Sequence, residues 1–280
     1  MPPDHVLAAF GLTGVRPVPL GSSWEGGWRC GEVVLSMVAE HARAGWSAKV
    51  RETLFVDGVR LARPVRSTDG RYVVAGWRAD TFVTGTPEPR HDEVVSAAVR
   101  LHEATAKLER PRFLTQPPSV PWSDVDVFVA ADRAAWEDRP LHGLPPGARV
   151  APGGSDGQRS VELIAQLAAL RRPTRSPSQL VHGDLYGTVL FAGTAAPGIT
   201  DITPYWRPAS WAAGVVVVDA LAWGEADDGL VERWAPLPEW PQMLLRALMF
   251  RLAVHALHPR STAAAFPGLA RTAALVRLIL

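Results

Sequence analysis

Two apolar segments enclose a polar tripeptide in the stretch Leu180-Val181-His182-Gly183-Asp184-Leu185-Tyr186-Gly187-Thr188-Val189-Leu190-Phe191. A Gly-bounded turn over residues 193–198 and a short apolar segment then lead to Asp201. The order strand, tight loop, strand, turn, strand predicts a β-hairpin within an otherwise helical region. Asp184 and Asp201 lie at the two ends of this hairpin, where they can face one cleft. This region is therefore predicted to carry the chemistry.

Length and composition describe an ordinary globular protein. A chain of 280 residues can form one large or two small domains. With 47% hydrophobic residues, 20% charged residues and a net charge of +1, bulk electrostatics favour neither nucleic acid nor a membrane surface as a partner. The single cysteine, Cys30, excludes an internal disulfide and a multi-cysteine zinc site. Because the first residues are unlike a signal peptide, we expect a cytoplasmic protein.

The hydrophobic pattern changes from strand-like to helical along the chain. Strands are predicted near residues 15–20, 32–38 and 71–77, with one helix over 40–55. Later helices are predicted over 92–108, 122–136, 160–170, 240–257 and 261–280, with proline- or glycine-rich breaks at 111–121 and 143–157. The sequence thus predicts an α+β fold, with a β-rich domain over residues 1–84 and a mainly helical domain over residues 85–280.

Two aspartates at the ends of one short hairpin suit phosphoryl transfer. That reaction requires backbone amides over the phosphates, a cation on them, carboxylates that hold Mg²⁺, and a base beside the attacking hydroxyl. Mg²⁺ prefers oxygen ligands, with one or two carboxylates completed by phosphates and water. Asp184 and Asp201 are placed so that one can act as the base and the other as the metal ligand.

The same stretch resembles the catalytic loop of aminoglycoside and choline kinases, in which His-Gly-Asp-Leu precedes an Asn and an apolar strand. Ile199-Thr200-Asp201-Ile202 resembles the strand and aspartate that follow in those kinases, and Asp201-Ile202-Thr203-Pro204-Tyr205-Trp206-Arg207-Pro208 resembles a signature of an uncharacterised phosphotransferase-like family. The resemblance covers most of the chain. It implies a two-lobed, protein-kinase-like fold with a small β-rich nucleotide-binding lobe and a larger helical lobe.

The resemblance also implies a role for each residue of the motif. Asp184 would be the catalytic base, His182 would organise the catalytic loop, and Asp201 would bind Mg²⁺. ATP would be the phosphate donor. The backbone of residues 21–27 would cover its phosphates, which places in the nucleotide site the loop residues Gly21, Ser22, Ser23, Gly26 and Gly27.

Three positions depart from the kinase pattern. Thr188 occupies the most probable place of the second metal ligand, an Asn in the family, and Val189 is the alternative if the loop is one residue longer. Ser36 stands where the third strand would carry the phosphate-binding lysine, and a missing contact of this kind costs on the order of a hundredfold to a thousandfold in rate. Lys49, on the following helix, or Arg29, on the neighbouring strand, is the candidate replacement.

Two functions from different classes follow. The first is an ATP- and Mg²⁺-dependent transfer of the γ-phosphate to a hydroxyl of a small molecule, through a partly degenerate active site. The sequence pattern would be the same if the acceptor were the side chain of a protein or peptide. The second is a pseudokinase that binds a nucleotide or a protein partner, which Ser36 and Thr188 favour.

Overall fold

The computed structural model of this protein describes residues 1–115, 124–137, 141 and 155–280. They fall into two compact units: residues 1–115 with 179–206, and residues 116–178 with 207–280. The first contains the sheet and the second is helical, so the predicted α+β class is confirmed. The predicted domain boundary between residues 84 and 85 would separate the two lobes of a kinase fold. It is a different division from these two units and stays a prediction.

A six-stranded antiparallel sheet forms the centre of the first unit. Its strands run in the order β1-β2-β3-β7-β5, and β6 also pairs with β7. They are β1 (Val18–Pro19), β2 (Trp28–Cys30), β3 (Val33–Met37), β5 (Pro64–Val65), β6 (Val73–Val74) and β7 (Trp77–Thr81). The short strand β4 (Arg60–Leu61) lies outside this sheet.

The two faces of the sheet have different neighbours because side chains alternate along a strand. Leu35 of β3 packs with helix α1 (Asp4–Ala9) in one apolar cluster. Val34 packs with Trp24 in another. Cross-strand partners share a face, and Ser36 pairs with Arg78 of β7. Ser36 and Arg78 therefore lie on the Val34 face of the sheet.

Helix α2 (His41–Thr53) follows β3 and buries one narrow stripe. The buried positions are Ala44, Ser47, Ala48 and Arg51, the i, i+3, i+4, i+7 spacing of a single helix face. Two of these four positions are polar, and both require partners inside the protein because buried polar groups are costly to leave unpaired.

The predicted catalytic segment packs within the first unit. It includes β8 (Gln179–His182), β9 (Gly198–Ile199) and β10 (Pro204–Arg207), which pairs with β8. Helix α3 (His91–Thr105) joins it through the Thr105 hydroxyl, which donates to the Leu180 carbonyl at 2.8 Å. Strand β9 pairs with β4 in parallel. Gly85, at a φ of 126°, approaches this segment so closely that a Cβ would lie 2.5 Å from the Phe191 carbonyl oxygen.

In the second unit, the helices surround the long helix α8 (Trp240–Leu257), which is buried on nearly every side. Its neighbours are α4 (Asp124–Trp136), α5 (Ser155–Ala168), α6 (Ala209–Trp223) and α9 (Phe266–Leu278), and a short helix α7 (Leu230–Arg233) precedes it. A helix that is apolar all round belongs in a core. Its Arg251 is paired with Asp219 of α6, with an Nε–Oδ1 distance of 2.7 Å. Among the described residues, no helix has the length and hydropathy needed to cross a bilayer.

The middle strand predicted at residues 189–191 is wrong, because this segment forms only isolated β-bridges, at Leu190 and Phe191. A second difference lies at residues 71–77. The single strand expected there is two strands, β6 and β7, joined by Ala75 and Gly76 at φ values of 48° and 77°. Two successive residues with positive φ make the tight turn that suits a twisted hairpin. The apolar pattern continues through Ala75, so only Gly76 marked the turn. The breaks predicted at 111–121 and 143–157 lie partly outside the described residues.

Gly268 in α9 should tolerate no side chain. A Cβ at this position would lie 2.0 Å from the Ala222 carbonyl oxygen of α6. We expect Gly268→Ala to reduce the free energy of unfolding by about 2 to 3 kcal/mol, because a rigid backbone cannot move aside cheaply. Urea unfolding followed by circular dichroism would measure this loss.

The matched control is Gly45→Ala in α2, where an added Cβ would meet no atom within 4 Å. This variant should be as stable as the parent or more stable by about 0.5 to 1 kcal/mol, because alanine is the better helix former. Equal effects of the two substitutions would contradict the packing assigned to Gly268.

Candidate active site

The loop after β8 turns tightly against β10. The Gly183 amide donates to the Thr203 carbonyl at 3.0 Å, and a Cβ on Gly183 would lie 2.4 Å from the Tyr205 ring. Only glycine fits here, because the tyrosine ring fills the space of any side chain. This contact fixes the direction in which the chain leaves His182 and enters Asp184.

His182 is buried and connects the loop after β8 to helix α3. Its Nδ1 accepts a hydrogen bond from the Asp184 amide at 3.1 Å, and its own amide donates to Nε2 of His102 in α3 at 3.0 Å. Burial lowers the pKa of His182 to about 4 and that of His102 to about 3. Both rings are neutral near pH 7, so His182 positions Asp184 and does not exchange protons there.

Asp184 is half-buried at the head of the loop, and Thr188 closes the turn behind it. The Thr188 hydroxyl lies 3.0 Å from both the Asp184 and the Leu185 carbonyl oxygens, to which it can donate. Gly187, at a φ of 74°, supplies the bend between them. The hydroxyl hydrogen of Thr188 is thus engaged by the backbone of the loop, and the structure brings Thr188 to Asp184.

Asp201 is held by three side chains. Its Oδ1 accepts from the Ser47 hydroxyl at 2.6 Å and lies 3.3 Å from Arg51 Nε. Its Oδ2 accepts from Arg78 Nη1 at 2.5 Å. Burial acts to raise the pKa of Asp201, but the charges of Arg78 and Arg51 outweigh it and hold the pKa well below its usual range. This carboxylate is therefore ionised near pH 7.

A second aspartate completes the buried charge cluster. Arg51 is fully buried, and its Nη1 donates to Asp80 Oδ1 at 2.7 Å and to the Ala62 carbonyl at 2.6 Å. The Nε of Arg78 lies 3.4 Å from Asp80 Oδ2. Two guanidinium groups and two carboxylates therefore balance their charges, as buried ions require.

The predicted replacements for the missing lysine lie elsewhere. Lys49 is exposed on α2, two residues from both Ser47 and Arg51, so it points away from the stripe that reaches Asp201. Arg29 contacts Glu32, with Nη2 3.1 Å from Oε1, and lies over the Phe82 ring at 3.8 Å. In this structure the cations beside Asp201 are Arg51 and Arg78.

The predicted phosphate-binding loop adopts a compact turn. Residues Ser22–Trp24 form a short 3₁₀ helix between Gly21 and Gly26. A Cβ on Gly27 would lie 2.6 Å from the Ser36 Oγ, so the loop end rests directly on β3. The Ser23 carbonyl accepts from the Thr200 hydroxyl at 3.0 Å, next to Asp201. The structure thus brings this loop, Ser36 and Asp201 together.

Several residues of this site escaped the sequence analysis, namely Glu25, Ser47, Arg51, Arg78, Asp80 and His102. Only Ser47 and Arg51 could have been found from the sequence, because they share the helical spacing of the apolar residues Ala44 and Ala48 on α2. Arg78 carries none in the sequence, because its position depends on the pairing of β3 with β7.

As they stand, these residues do not fit a Mg²⁺ ion. The Asp201 carboxylate already faces two guanidinium groups and a hydroxyl, which would repel or block a divalent cation. Across residues 1–115, 124–137, 141 and 155–280, no three His, Cys, Asp or Glu side chains are grouped to hold a metal ion. The metal roles of Asp201 and Thr188 stay predictions from the resemblance.

Solved structures of phosphotransferases share this fold. The microcompartment-associated aminopropanol kinase is 17% identical with a TM-score of 0.60, over 98% of this chain and 94% of that one. An aminoglycoside phosphotransferase from Alicyclobacillus acidocaldarius subsp. acidocaldarius is 13% identical with a TM-score of 0.56, over 99% and 94%. Spectinomycin phosphotransferase APH(9)-Ia, solved with ADP and spectinomycin, is 9% identical with a TM-score of 0.53, over 98% and 96%.

These structures show that the chain has the aminoglycoside phosphotransferase fold, of the protein-kinase-like type, as the motif around His182 predicted. No family model matches the chain. A comparison with curated proteins also finds no match. At identities this low the likeness concerns the fold, and activity has to be argued from the site.

Neutral, buried histidines should make the protein sensitive to mild acid. The unfolded chain protonates histidine near pH 6.5, whereas folded His102 titrates near 3, so its contribution is complete above pH 6.5 and is lost as pH falls toward 3. We expect His102→Gln, whose amide oxygen can still accept from the His182 amide, to reduce the stability loss between pH 7.5 and 5.5 by about 1 kcal/mol. Urea unfolding at both pH values measures this difference.

The control is His5→Gln, on the exposed side of α1, which should leave the pH difference unchanged. A His102→Gln protein that loses as much stability as the parent on acidification would contradict the neutral state assigned to His102.

Arg51 should be far more important to folding than Lys49 on the same helix. Arg51→Met removes the positive charge between Asp80 and Asp201 and leaves buried carboxylates undercompensated, which costs about 3 to 5 kcal/mol. Lys49→Met changes an exposed position and should stay within about 0.5 kcal/mol. Chemical denaturation of both variants tests this, and a neutral Arg51→Met would overturn the charge balance described above.

Proposed function

We propose that the protein is a phosphotransferase that transfers the γ-phosphate of ATP to a hydroxyl of a small molecule. The arrangement that carries this proposal is the His182–Asp184 loop, in which a neutral buried ring holds the aspartate amide at 3.1 Å. Such a loop fixes the backbone that carries the Asp184 carboxylate, which we infer faces the acceptor hydroxyl. The likeness to aminopropanol and aminoglycoside kinases supports the same reaction class.

Asp184 is the catalytic residue in this proposal. It accepts the hydroxyl proton as the acceptor oxygen forms its bond to the γ-phosphorus and the bond from that phosphorus to the β–γ bridging oxygen breaks, which releases ADP. Enzymes catalyse this reaction mainly by positioning and electrostatic stabilisation. His182 is a positioning residue, because it contacts the Asp184 amide and is too buried to reach a substrate.

Arg78 supplies the cation that Ser36 cannot. It projects from the strand next to β3, opposite Ser36, on the same face of the sheet. Its side chain is 9% exposed and is surrounded by carboxylates, which raise its pKa despite burial. We assign no step to a metal ion, and the Mg²⁺ requirement that the resemblance implies is a separate point for experiment.

Asp184→Asn should abolish turnover and spare nucleotide binding. The amide keeps the size of the carboxylate but cannot accept the proton, so we expect a loss of at least about 10² to 10⁴ in rate. ADP release would be measured with a panel of amino alcohols, aminocyclitols and serine peptides, with and without Mg²⁺, and with GTP in place of ATP. Calorimetric titration with ATP should give the same dissociation constant for the variant and the parent.

Asp156→Asn, in helix α5 of the second unit, is the control for removal of a carboxylate, and it should retain full turnover. Activity of Asp184→Asn equal to that of the parent would refute the role of Asp184.

A second candidate function is nucleotide binding without catalysis. The ion pairs of Asp201 favour this function, because a carboxylate whose charge is already balanced by Arg51 and Arg78 is a poor partner for a cation. In that case ATP would raise the melting temperature equally with Mg²⁺ and with a chelator, and no acceptor would yield ADP. Thermal unfolding with ATP under both conditions separates the two functions.

A further inference from the structure

Two adjacent residues at the tip of the loop over residues 21–27 point into unlike surroundings. Trp24 is only 6% exposed and packs in an apolar cluster with Val34, Ala62, Val83 and Leu190. The side chain of Glu25 reaches the buried arginine cluster, with Oε2 3.2 Å from Arg78 Nη2. The loop therefore places the Trp24 indole in an apolar slot and the Glu25 carboxylate on the Arg78 guanidinium at the same time.

The slot around Trp24 fits a planar ring. The indole stacks on Phe82 with ring centroids 5.8 Å apart and an interplanar angle of 19°. Val34 of β3 lies in this cluster together with Leu190, which follows the catalytic loop. The slot is thus formed where the sheet and the catalytic segment meet within the first unit.

The Glu25 carboxylate adds a third negative charge beside two arginines. Asp80 and Asp201 already balance Arg51 and Arg78, and a third arginine, Arg43, also acts electrostatically on Glu25. Among the described residues, buried Arg78 Nε and Arg51 Nη2 form no hydrogen bond, although Arg78 Nε lies 3.4 Å from Asp80 Oδ2. The cluster can therefore accept a stronger anion in place of the Glu25 carboxylate.

The loop amides are already in use. The amides of Trp24 and Gly26 donate to the Gly21 carbonyl at 3.1 Å, that of Glu25 donates to Ser22 at 2.8 Å, and that of Gly27 donates to Trp24 at 2.8 Å. In this conformation the amides of residues 24–27 have no capacity left for a phosphate. The sequence-based prediction that this backbone covers phosphates requires the loop to open.

We propose that residues 22–25 are a built-in occupant of the nucleotide site, with Trp24 in the place of the base and Glu25 in the place of a phosphate on Arg78. The inference rests on the proposed function, since it assumes that ATP enters here. ATP binds only after the loop leaves, which exposes the apolar slot, the Arg78 guanidinium and the loop amides together. Removal of either part of the internal occupant therefore strengthens nucleotide binding.

Glu25→Gln is the principal test because Glu25 is more than half exposed and its replacement leaves the fold intact. We expect calorimetry to show ATP and tripolyphosphate binding at least about fivefold more tightly to Glu25→Gln than to the parent, at fixed ionic strength. Glu32→Gln removes a charge of the same kind from an exposed position beside Arg29 and should change neither affinity.

Trp24→Leu tests the other half of the occupant. It should strengthen binding of both ATP and tripolyphosphate, because each ligand binds only after the loop leaves as one unit and the variant raises the open fraction. Glu25→Gln should strengthen both. If Trp24→Leu does not fold, the comparison of Glu25→Gln with Glu32→Gln still decides the question.

The outcomes distinguish this inference from the proposed function. ATP binding that is equal in the parent and in Glu25→Gln, or weaker in the variant, overturns the inference and leaves the phosphotransferase proposal intact. Absence of ATP binding to the parent and to both loop variants overturns the two together. Tighter binding to Glu25→Gln and Glu32→Gln alike shows a general charge effect and also overturns the inference.

Discussion

One carboxylate, that of Asp201, connects the parts of the candidate site. It receives a hydroxyl and a guanidinium from helix α2 and a second guanidinium from strand β7, although these segments are far apart in the chain. Burial of an isolated carboxylate would be prohibitive, so its partners are a condition for this packing. The same ions set the positions of the loop residue Glu25 and of Asp80, and every proposal about phosphate binding depends on how this balance responds to a new anion.

The proposed replacement of a lysine at the position of Ser36 by Arg78 on the adjacent strand has a physical basis. Paired residues of antiparallel strands present their side chains to the same face, so a charge lost at Ser36 can be supplied from Arg78 without moving the sheet. A guanidinium has several donors in a fixed plane, whereas an ammonium is a compact point charge. Arg78 can therefore contact Asp201 and Glu25 simultaneously, which makes it suited to hold one anion while it exchanges another.

The sequence predicted the fold because it depends on local signals, and the same signals define the candidate site. The stretch around His182 and Asp184, the apolar periods of the helices, and the glycine-rich loop are all readable without a partner. Arg78 was not predictable, because its position depends on the pairing register of β3 and β7. Arg51 could be predicted as a buried residue, since it continues the buried stripe of α2. Lys49 was predicted as the replacement cation because it is a lysine, but helical geometry places it away from that stripe.

The contact between Gly183 and Tyr205 links the two sequence motifs that predict the fold. The ring of Tyr205 occupies the space that a side chain on Gly183 would need, at a separation of only 2.4 Å for a Cβ. The two positions therefore constitute one steric unit shared between the loop after β8 and strand β10. Among relatives of this chain, a larger residue at the position of Gly183 would have to appear together with a smaller one at that of Tyr205, so the pair should covary as a lineage diverges.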